Sequence, residues 1–198
     1  MSEPVSELAS EPAVDSARRR HLAPFISLAV AVALGALFVV FATSKSDRPD
    51  VASSYLLGKP EPAVVSTTLD GKAFDLSRRK GSWVVLNFFQ STCLPCKAEH
   101  PELVSFAEQQ SGIPDGAELY TVIKDDSDEA VAKWFSENGG SWPIVKDDDG
   151  SISTAFGVAK VPETWIIDPS GIVVRRVITT ITADFLANEL QMLRQAYG

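Results

Sequence analysis

The two cysteines of the chain, Cys93 and Cys96, are separated only by Leu94 and Pro95. Two thiols at this spacing can close a disulfide with each other, and one of them can attack a disulfide in another molecule before the second completes the exchange. The same spacing also occurs in metal sites, in haem attachment sites and in purely structural disulfides. The surrounding residues must decide between these chemistries.

The three non-redox interpretations of the pair are poorly supported. A structural zinc site normally needs four ligands, and only His100 adds a plausible third. A haem attachment motif needs a histidine directly after the second cysteine, where this chain has Lys97. A structural disulfide across two residues closes so small a loop that it restricts the unfolded chain very little. We therefore predict a redox pair that uses neither a metal nor another cofactor.

The elements around the pair are predicted to be a buried strand and a helix. The run WVVLNFF, residues 83–89, is almost unbroken in apolar residues, which is typical of a strand buried on both faces. Beyond the pair, Leu103, Phe106 and their apolar neighbours recur at helical spacing, and Pro101 inside this pattern is expected to kink the helix. The cysteines are thus expected where a strand ends and a helix begins.

The start of a helix favours a negative charge, because its first N–H groups lack partners and its dipole is positive there. A thiolate at this position can have its pKa lowered from about 8.5 to roughly 3.5–7.5. Pro95 suits a first helical turn because it has no N–H. We predict that Cys93 attacks the substrate and that Cys96, one turn inward and more buried, resolves the mixed disulfide.

The remaining segments predict an α/β fold. Strand-like and helix-like segments alternate after the pair, and two strands joined by a Pro169-Ser170-Gly171 turn precede a last helix, so parallel and antiparallel pairs should share one sheet. We therefore expect a mixed central β-sheet flanked by helices on both faces, with an N-terminal β-hairpin around Asp70-Gly71. The predicted segments after the pair are strand 118–124, helix 127–140, strands 164–168 and 172–178, and helix 182–197.

An uncharged apolar segment, residues 22–42, precedes this domain. A helix rising about 1.5 Å per residue over this length would cross a hydrocarbon core of about 30 Å. Arg18, Arg19 and Arg20 lie just before it, so the N-terminus is expected in the cytoplasm and the catalytic domain outside. A cleaved signal peptide is the alternative, but the segment exceeds the usual apolar core of such peptides. The predicted organisation is a cytoplasmic disordered tail (1–21), a single-pass transmembrane helix (22–42), a linker (43–62) and the α/β domain (63–198).

The charge of the chain excludes one class of partner. With 18 basic against 26 acidic residues the net charge is −8, so nucleic-acid binding is not expected. Asp147, Asp148 and Asp149 before Gly150 look like part of a calcium loop. No glutamate closes the loop at the spacing that an EF-hand requires, so we interpret this stretch as an acidic turn.

Three motifs together resemble the thioredoxin-like proteins of cytochrome c maturation, the membrane-anchored CcmG/DsbE group with its relatives TlpA and ResA. These motifs are LNFFQSTCLPCKAEHP, IKDDSDEAVAKWFSENG and FGVAKVPETWIIDPSGIVVRR, in the order and at the spacing of that group. The resemblance covers residues of about 60 to 195. It implies a thioredoxin-like fold and a thiol-disulfide oxidoreductase that reduces disulfides of exported proteins, such as an apocytochrome c, and is itself recharged by a membrane electron donor.

The resemblance also assigns roles to single residues. It implies Cys93 as the attacking thiol, Cys96 as the resolving thiol and Glu99 as the acidic residue after the pair. Pro162 matches the cis-proline that faces the cysteines in such folds, with the Val161 backbone available to pair with a bound peptide. Glu163 matches a second acidic residue beside the groove, so Val161, Pro162 and Glu163 are the predicted substrate-binding residues.

Two departures from related sequences affect the predicted chemistry. Asn87 stands where thioredoxin has a buried aspartate that is thought to assist proton transfer, and an amide cannot titrate. Glu99 is the candidate replacement, since burial would raise its pKa toward neutrality, as a general base requires. Thr92 replaces the tryptophan that usually precedes the pair, so the local shape of the substrate surface should differ.

Two other functions are compatible with the sequence. The chain could be an oxidant or isomerase of exported proteins, because the Leu94-Pro95 dipeptide does not set the direction of electron flow. It could also be a non-catalytic module that holds an unfolded peptide near Pro162.

Overall fold

The computed structural model describes residues 22–43 and 51–197. The predicted cytoplasmic tail (1–21) and residues 44–50 of the predicted linker lie outside these ranges. The chain forms two compact units, with a boundary between residues 47 and 48.

Within the first unit, the described residues form helix α1 over Leu22–Thr43, and side chains are described for residues 26–39. Within the described residues of the chain, no helix combines the length and the apolar character that a membrane span needs.

The second unit is built on a five-stranded sheet, which follows a short N-terminal hairpin of strands β1 and β2 (residues 65–67 and 73–75). The strands of the sheet are β3 (Val84–Phe89), β4 (Glu118–Ile123), β5 (Ile144–Val145), β6 (Glu163–Ile167) and β7 (Val173–Val177). Their order is β5-β4-β3-β6-β7. The central strand β3 pairs in parallel with β4 and antiparallel with β6, and β7 pairs antiparallel with β6, so the sheet is mixed, as predicted.

Helices cover both faces of this sheet. They are α2 (Leu94–Ser111), α3 (Asp128–Asn138), α4 (Ser151–Phe156) and α5 (Ala183–Tyr197). Because side chains alternate along a strand, Val85 of β3 packs with α2 and α5 on one face. Leu86 and Phe88 pack with the short helix α4 and the N-terminal hairpin on the other.

The N-terminal hairpin consists of β1 (Val65–Thr67) and β2 (Ala73–Asp75), which pair antiparallel as predicted. Gly71 in its turn has φ 79°, a left-handed conformation that glycine adopts without steric cost. Thr68 lies beside Val145 of β5 in an isolated bridge, which joins the hairpin to the edge of the main sheet.

The helix ends follow local capping rules. Ser127 begins α3 with its hydroxyl accepting from the Ala130 amide at 3.2 Å, and Thr182 begins α5 in the same way with the Phe185 amide. Helix α2 starts at Leu94, directly after Cys93, and continues through Pro101. The sequence did not predict β5 and α4, since a strand of two residues and a helix of six are too short to show a period.

Candidate active site

Cys93 is the N-cap residue of α2. Its backbone is extended (φ −77°, ψ 110°), and its Sγ accepts a hydrogen bond from the Cys96 amide at 3.1 Å. Cys93 and Cys96 form a disulfide, so the structure represents the oxidised form of the pair. In the reduced form a thiolate on Cys93 would occupy the same position and receive the same N–H group.

The two sulfurs differ in access to solvent. Cys96 is completely buried, whereas Cys93 is partly exposed beside Leu94, whose exposed fraction is 77%. Cys96 packs among Phe89, Ile123 and Val131 at the end of the sheet. Cys93 is therefore the accessible sulfur and Cys96 the buried one, while their roles as attacking and resolving thiol remain predictions.

The Val161-Pro162 peptide bond is cis and precedes β6. The carbonyl oxygen of Val161 lies 3.6 Å from Cys93 Sγ. Val161 is partly exposed and Pro162 is buried. The structure thus brings the predicted Val161-Pro162 pair directly beside the outer sulfur, where a peptide bound along this backbone would meet it.

Glu99 is a buried carboxylate one helical turn after Cys96. Its side chain accepts from the Asn87 amide group at 2.8 Å and from the Ile181 backbone N–H at 3.1 Å, and only 2% of the residue is exposed. Burial raises the pKa of Glu99 to about 7, and the two hydrogen bonds oppose this rise. Since residues three apart share a helix face, Glu99 lies on the same buried side of α2 as Cys96.

Asn87, in the centre of β3, positions this carboxylate. Its amide donates to Glu99 and also to the Thr164 hydroxyl at 3.1 Å, while its carbonyl oxygen has no hydrogen-bond partner among the described residues. Thr164 faces Asn87 across the β3–β6 ladder. The titratable group of this buried network is thus Glu99, because neither the amide nor the hydroxyl ionises near neutral pH.

Comparison with known proteins agrees with this geometry. Residues 57–176 match the model of the AhpC/TSA family. The chain is 28% identical to the thiol:disulfide interchange protein HelX of Rhodobacter capsulatus, over 86% of this chain and 95% of that protein. It is 31% identical to the thiol-disulfide oxidoreductase ResA of Bacillus subtilis, over 69% of this chain and 75% of that protein.

The chain belongs to the AhpC/TSA family. Its fold is thioredoxin-like, as seen in a thioredoxin-family thiol:disulfide interchange protein from Chlorobium tepidum, which superposes with a TM-score of 0.62 at 22% identity over 71% of this chain and 98% of that one. Within the AhpC/TSA family it groups with the thiol:disulfide interchange proteins, and its CxxC pair makes it a thiol-disulfide oxidoreductase.

Glu163 has a different environment from the one its predicted groove position suggests. Only 3% of it is exposed, and its carboxylate binds the Arg176 guanidinium with two hydrogen bonds of 2.9 and 3.0 Å. Arg176 in turn lies 5.2 Å from the ring centre of Trp165. This carboxylate follows the cis-proline but already has a charged partner, so its predicted role in substrate binding remains a prediction.

His100 does not join the Glu99 network. Its Nε2 lies 2.9 Å from the Gly139 carbonyl oxygen, and its ring packs in an aromatic cluster. Burial lowers the pKa of His100, because it disfavours the charged imidazolium. The cluster consists of Phe89, Trp134, Phe135 and Trp142.

Asp147 caps a helix. Its carboxylate accepts from the backbone N–H groups of Ile152 and Ser153 and from the Ser153 hydroxyl, at 2.6–2.9 Å. The acidic stretch before Gly150 is a turn, as predicted, and it leads into α4, which the sequence did not predict.

Sequence reasoning missed two groups of the buried network, Thr164 and the Ile181 amide. Thr164 carries a weak signal, since it follows the predicted cis-proline by two residues. The Ile181 amide has none, because every residue except proline carries such a group.

Proposed function

We propose that this oxidoreductase reduces disulfides of exported proteins from a position on the outer side of the cytoplasmic membrane. The observation that carries the proposal is the pairing of an accessible sulfur at the start of α2 with a buried sulfur and a buried carboxylate behind it. The uncharged segment 22–42 and the arginines before it support the location.

The reaction begins with the reduced enzyme. The Cys93 thiolate attacks one sulfur of the substrate disulfide, the S–S bond of the substrate breaks, and the other substrate sulfur leaves as a thiolate. This forms a mixed disulfide through Cys93. We assign the alignment of the bound peptide to the Val161 backbone, and the distance of 3.6 Å between its carbonyl oxygen and Cys93 Sγ supports this role.

The second step needs the Cys96 thiol to lose its proton. Glu99 is the proposed acceptor, because its pKa of about 7 allows it to take a proton and to release it again near neutral pH. The Cys96 thiolate attacks Cys93 Sγ, the substrate leaves with both sulfurs reduced, and the enzyme ends with the Cys93–Cys96 disulfide. Two electrons from a dithiol donor must then restore the reduced pair.

The direction of transfer rests on the resemblance to the CcmG/DsbE group and on the buried carboxylate. The helix start stabilises a thiolate on Cys93 and therefore the reduced state, which by itself favours an oxidant. An ionised Glu99 behind Cys96 disfavours a second negative charge there, which destabilises the reduced pair and favours a reductant. An apocytochrome c or a similar exported protein is the proposed substrate, and a membrane protein that passes on reducing equivalents from cytoplasmic thioredoxin is the proposed donor.

A Cys96→Ser variant tests the enzymatic part of the proposal. Because the resolving thiol is absent, mixed disulfides through Cys93 should accumulate in cells, and mass spectrometry would identify the trapped proteins. Cys93→Ser is the matched control and should trap nothing. Peptide binding without covalent adducts would instead support a non-catalytic holding module.

Equilibration with thiol buffers tests the direction. A reductant should have a potential near or below the value of about −270 mV of thioredoxin. A potential as oxidising as about −120 mV would contradict the reductant and favour an oxidant of exported proteins.

A further inference from the structure

The loop that carries Cys93 is attached to the loop after the neighbouring strand. We call residues 90–93 the cysteine loop and residues 124–127 the acidic loop; they follow the parallel strands β3 and β4. The Lys124 amide donates to the Phe89 carbonyl at 2.9 Å, where the two loops begin. The Gln90 side-chain amide donates to the Asp125 carbonyl at 2.8 Å.

Of these contacts between the two loops, the one made by Asp126 lies nearest to Cys93 along the chain. One of its carboxylate oxygens accepts the backbone N–H of Ser91, and the other accepts the N–H of Ser127 at 2.8 Å. Asp125 before it has φ 52°, so the chain turns sharply and directs the Asp126 carboxylate toward the cysteine loop. The Ser91 amide thus has an acidic side chain as its partner. This is unexpected two residues before Cys93, because a nearby negative charge disfavours a thiolate.

The Ser91 amide that Asp126 binds belongs to the same short turn as Cys93. The Cys93 amide closes a turn onto the Gln90 carbonyl at 3.1 Å, so Ser91 lies inside the turn that sets the direction of the cysteine side chain. The sulfur in turn receives the Cys96 amide at 3.1 Å. Hydrogen bonds weaken steeply with distance and angle, so a small movement of the turn would reduce the stabilisation of the thiolate.

We propose that Asp126 is a positioning residue for the Cys93 thiolate, acting by holding the Ser91 amide and thereby the turn of the cysteine loop. This inference rests on disulfide exchange at Cys93, the chemistry of the proposed function, but not on the identity of the substrate or the direction of electron flow.

Besides holding the Ser91 amide, the Asp126 carboxylate acts on the Cys93 thiolate through its charge. The two effects change the pKa of the Cys93 thiol in opposite directions, which makes the proposal testable. The negative charge by itself disfavours a nearby thiolate, so a purely electrostatic role predicts that removing the charge lowers the pKa of the Cys93 thiol. A positioning role predicts that removing the hydrogen-bond acceptor raises it. Asp126→Asn removes the charge and keeps an acceptor oxygen, whereas Asp126→Ala removes both.

The experiment measures the alkylation rate of Cys93 against pH in the full chain, in a Cys96→Ser background that leaves a single thiol. We expect Asp126→Ala to raise the midpoint by about one pH unit, which is a tenfold loss of thiolate below it. We expect Asp126→Asn to stay at or slightly below the value of the parent. A lowered midpoint in both variants, or an unchanged midpoint in Asp126→Ala, would overturn the proposal.

Ser127→Ala is the matched control. It removes the side-chain cap of α3 but leaves the Ser91–Asp126 contact, so the midpoint should not move. Amide hydrogen exchange on the unaltered chain provides a test that does not depend on the folding of a variant. The Ser91 amide should be protected in the native protein, and rapid exchange at this position would overturn the proposal. Neither measurement uses a substrate, so failure here is distinct from failure of the trapping experiment.

Discussion

At the residue scale, Glu99 combines features that are rarely found together in a structural side chain. It is buried, it accepts two hydrogen bonds from different elements, and burial raises its pKa to about 7. It lies on the buried side of α2, where the Asn87 amide of β3 donates to it. These features allow two predictions, one on stability and one on kinetics.

The first prediction concerns the pH dependence of stability. The pKa of Glu99 rises from 4.5 to about 7 on folding, so the native state keeps a proton that the unfolded chain has released. The contribution of protonated Glu99 to the free energy of unfolding is fully present below pH 4.5. It is lost as the pH rises to 7, which lowers the free energy of unfolding by about 3 kcal/mol. In Glu99→Gln this loss should be absent, as measured by urea unfolding of the oxidised protein between pH 4 and 8.

Glu102→Gln provides the control for that prediction. Glu102 lies on the same helix, is less buried, and accepts from the Ala183 amide at 2.9 Å, next to the contact that Glu99 makes with Ile181. Its replacement should change the overall stability without removing the loss between pH 4.5 and 7. Equal slopes in the unaltered chain and Glu99→Gln would show that another group carries the dependence.

The second prediction concerns the resolution step. Glu99→Gln cannot accept the proton of Cys96, so release of substrate from a mixed disulfide at Cys93 should slow by about a hundredfold at pH 7. The initial attack by Cys93 should change much less. Single-turnover measurements separate the two steps, and an unchanged release rate would mean that water accepts the proton.

At the element scale, three loops of the unit that contains the cysteines are each held by an aspartate that accepts backbone amides. Asp147 binds the first amides of α4, and Asp168 binds those of Ser170 and Ile172 in the β6–β7 turn. Asp126 does the same for the cysteine loop. The acidic character of the chain is thus partly used to form the turns between elements, in addition to its effect on solubility.

The third prediction tests one of these turns. Asp147→Ala should lower the free energy of unfolding by about 2–3 kcal/mol, because it leaves the buried Ile152 and Ser153 amides without an acceptor. The neighbouring Asp148 is exposed and pairs with Lys146, so Asp148→Ala should change the stability by less than about 1 kcal/mol. Chemical denaturation measures both values. A rise in melting temperature on addition of calcium would contradict the assignment of this stretch as a turn.

At the scale of the whole molecule, the oxidoreductase unit and α1 are separate compact units. The unit that begins at residue 48 has its own sheet and contains the complete CxxC site. The residues of that site, from Asn87 to Ile181, all belong to this one unit. We therefore expect the apolar segment 22–42 to determine where the enzyme acts and not how it reacts.

The fourth prediction tests that division. In intact cells a membrane-impermeant maleimide should label Cys93 of the reduced full chain, and the protein should remain in the membrane fraction after a wash with high salt. A chain that begins at residue 44 lacks the segment, so it should lose both properties and keep its reductase rate on a model disulfide. Retention of the shortened chain in the membrane fraction would contradict anchoring by residues 22–42.

Much of the fold could be predicted from local patterns. Continuous apolar runs identified β3 and β4, and the capping residues Ser127 and Thr182 identified the starts of α3 and α5, because these signals lie within one element. The CxxC spacing likewise identified the redox pair, because both thiols lie within one short segment. The motif resemblance suggested Pro162 as the cis-proline, which local rules alone would not have chosen.

Only the tertiary structure decided how the site is assembled. Asn87 meets Thr164, which is 77 residues away, and Glu99 meets the amide of Ile181, which is 82 residues away. The tertiary structure also pairs Glu163 with Arg176 and places His100 in an aromatic cluster away from Glu99. Such contacts depend on strand register and helix packing, which no periodicity within a single segment specifies. The sequence by itself therefore determined the reactive thiols and the elements that carry them, while the folded chain determined the pKa of Glu99 and the partners of each buried charge.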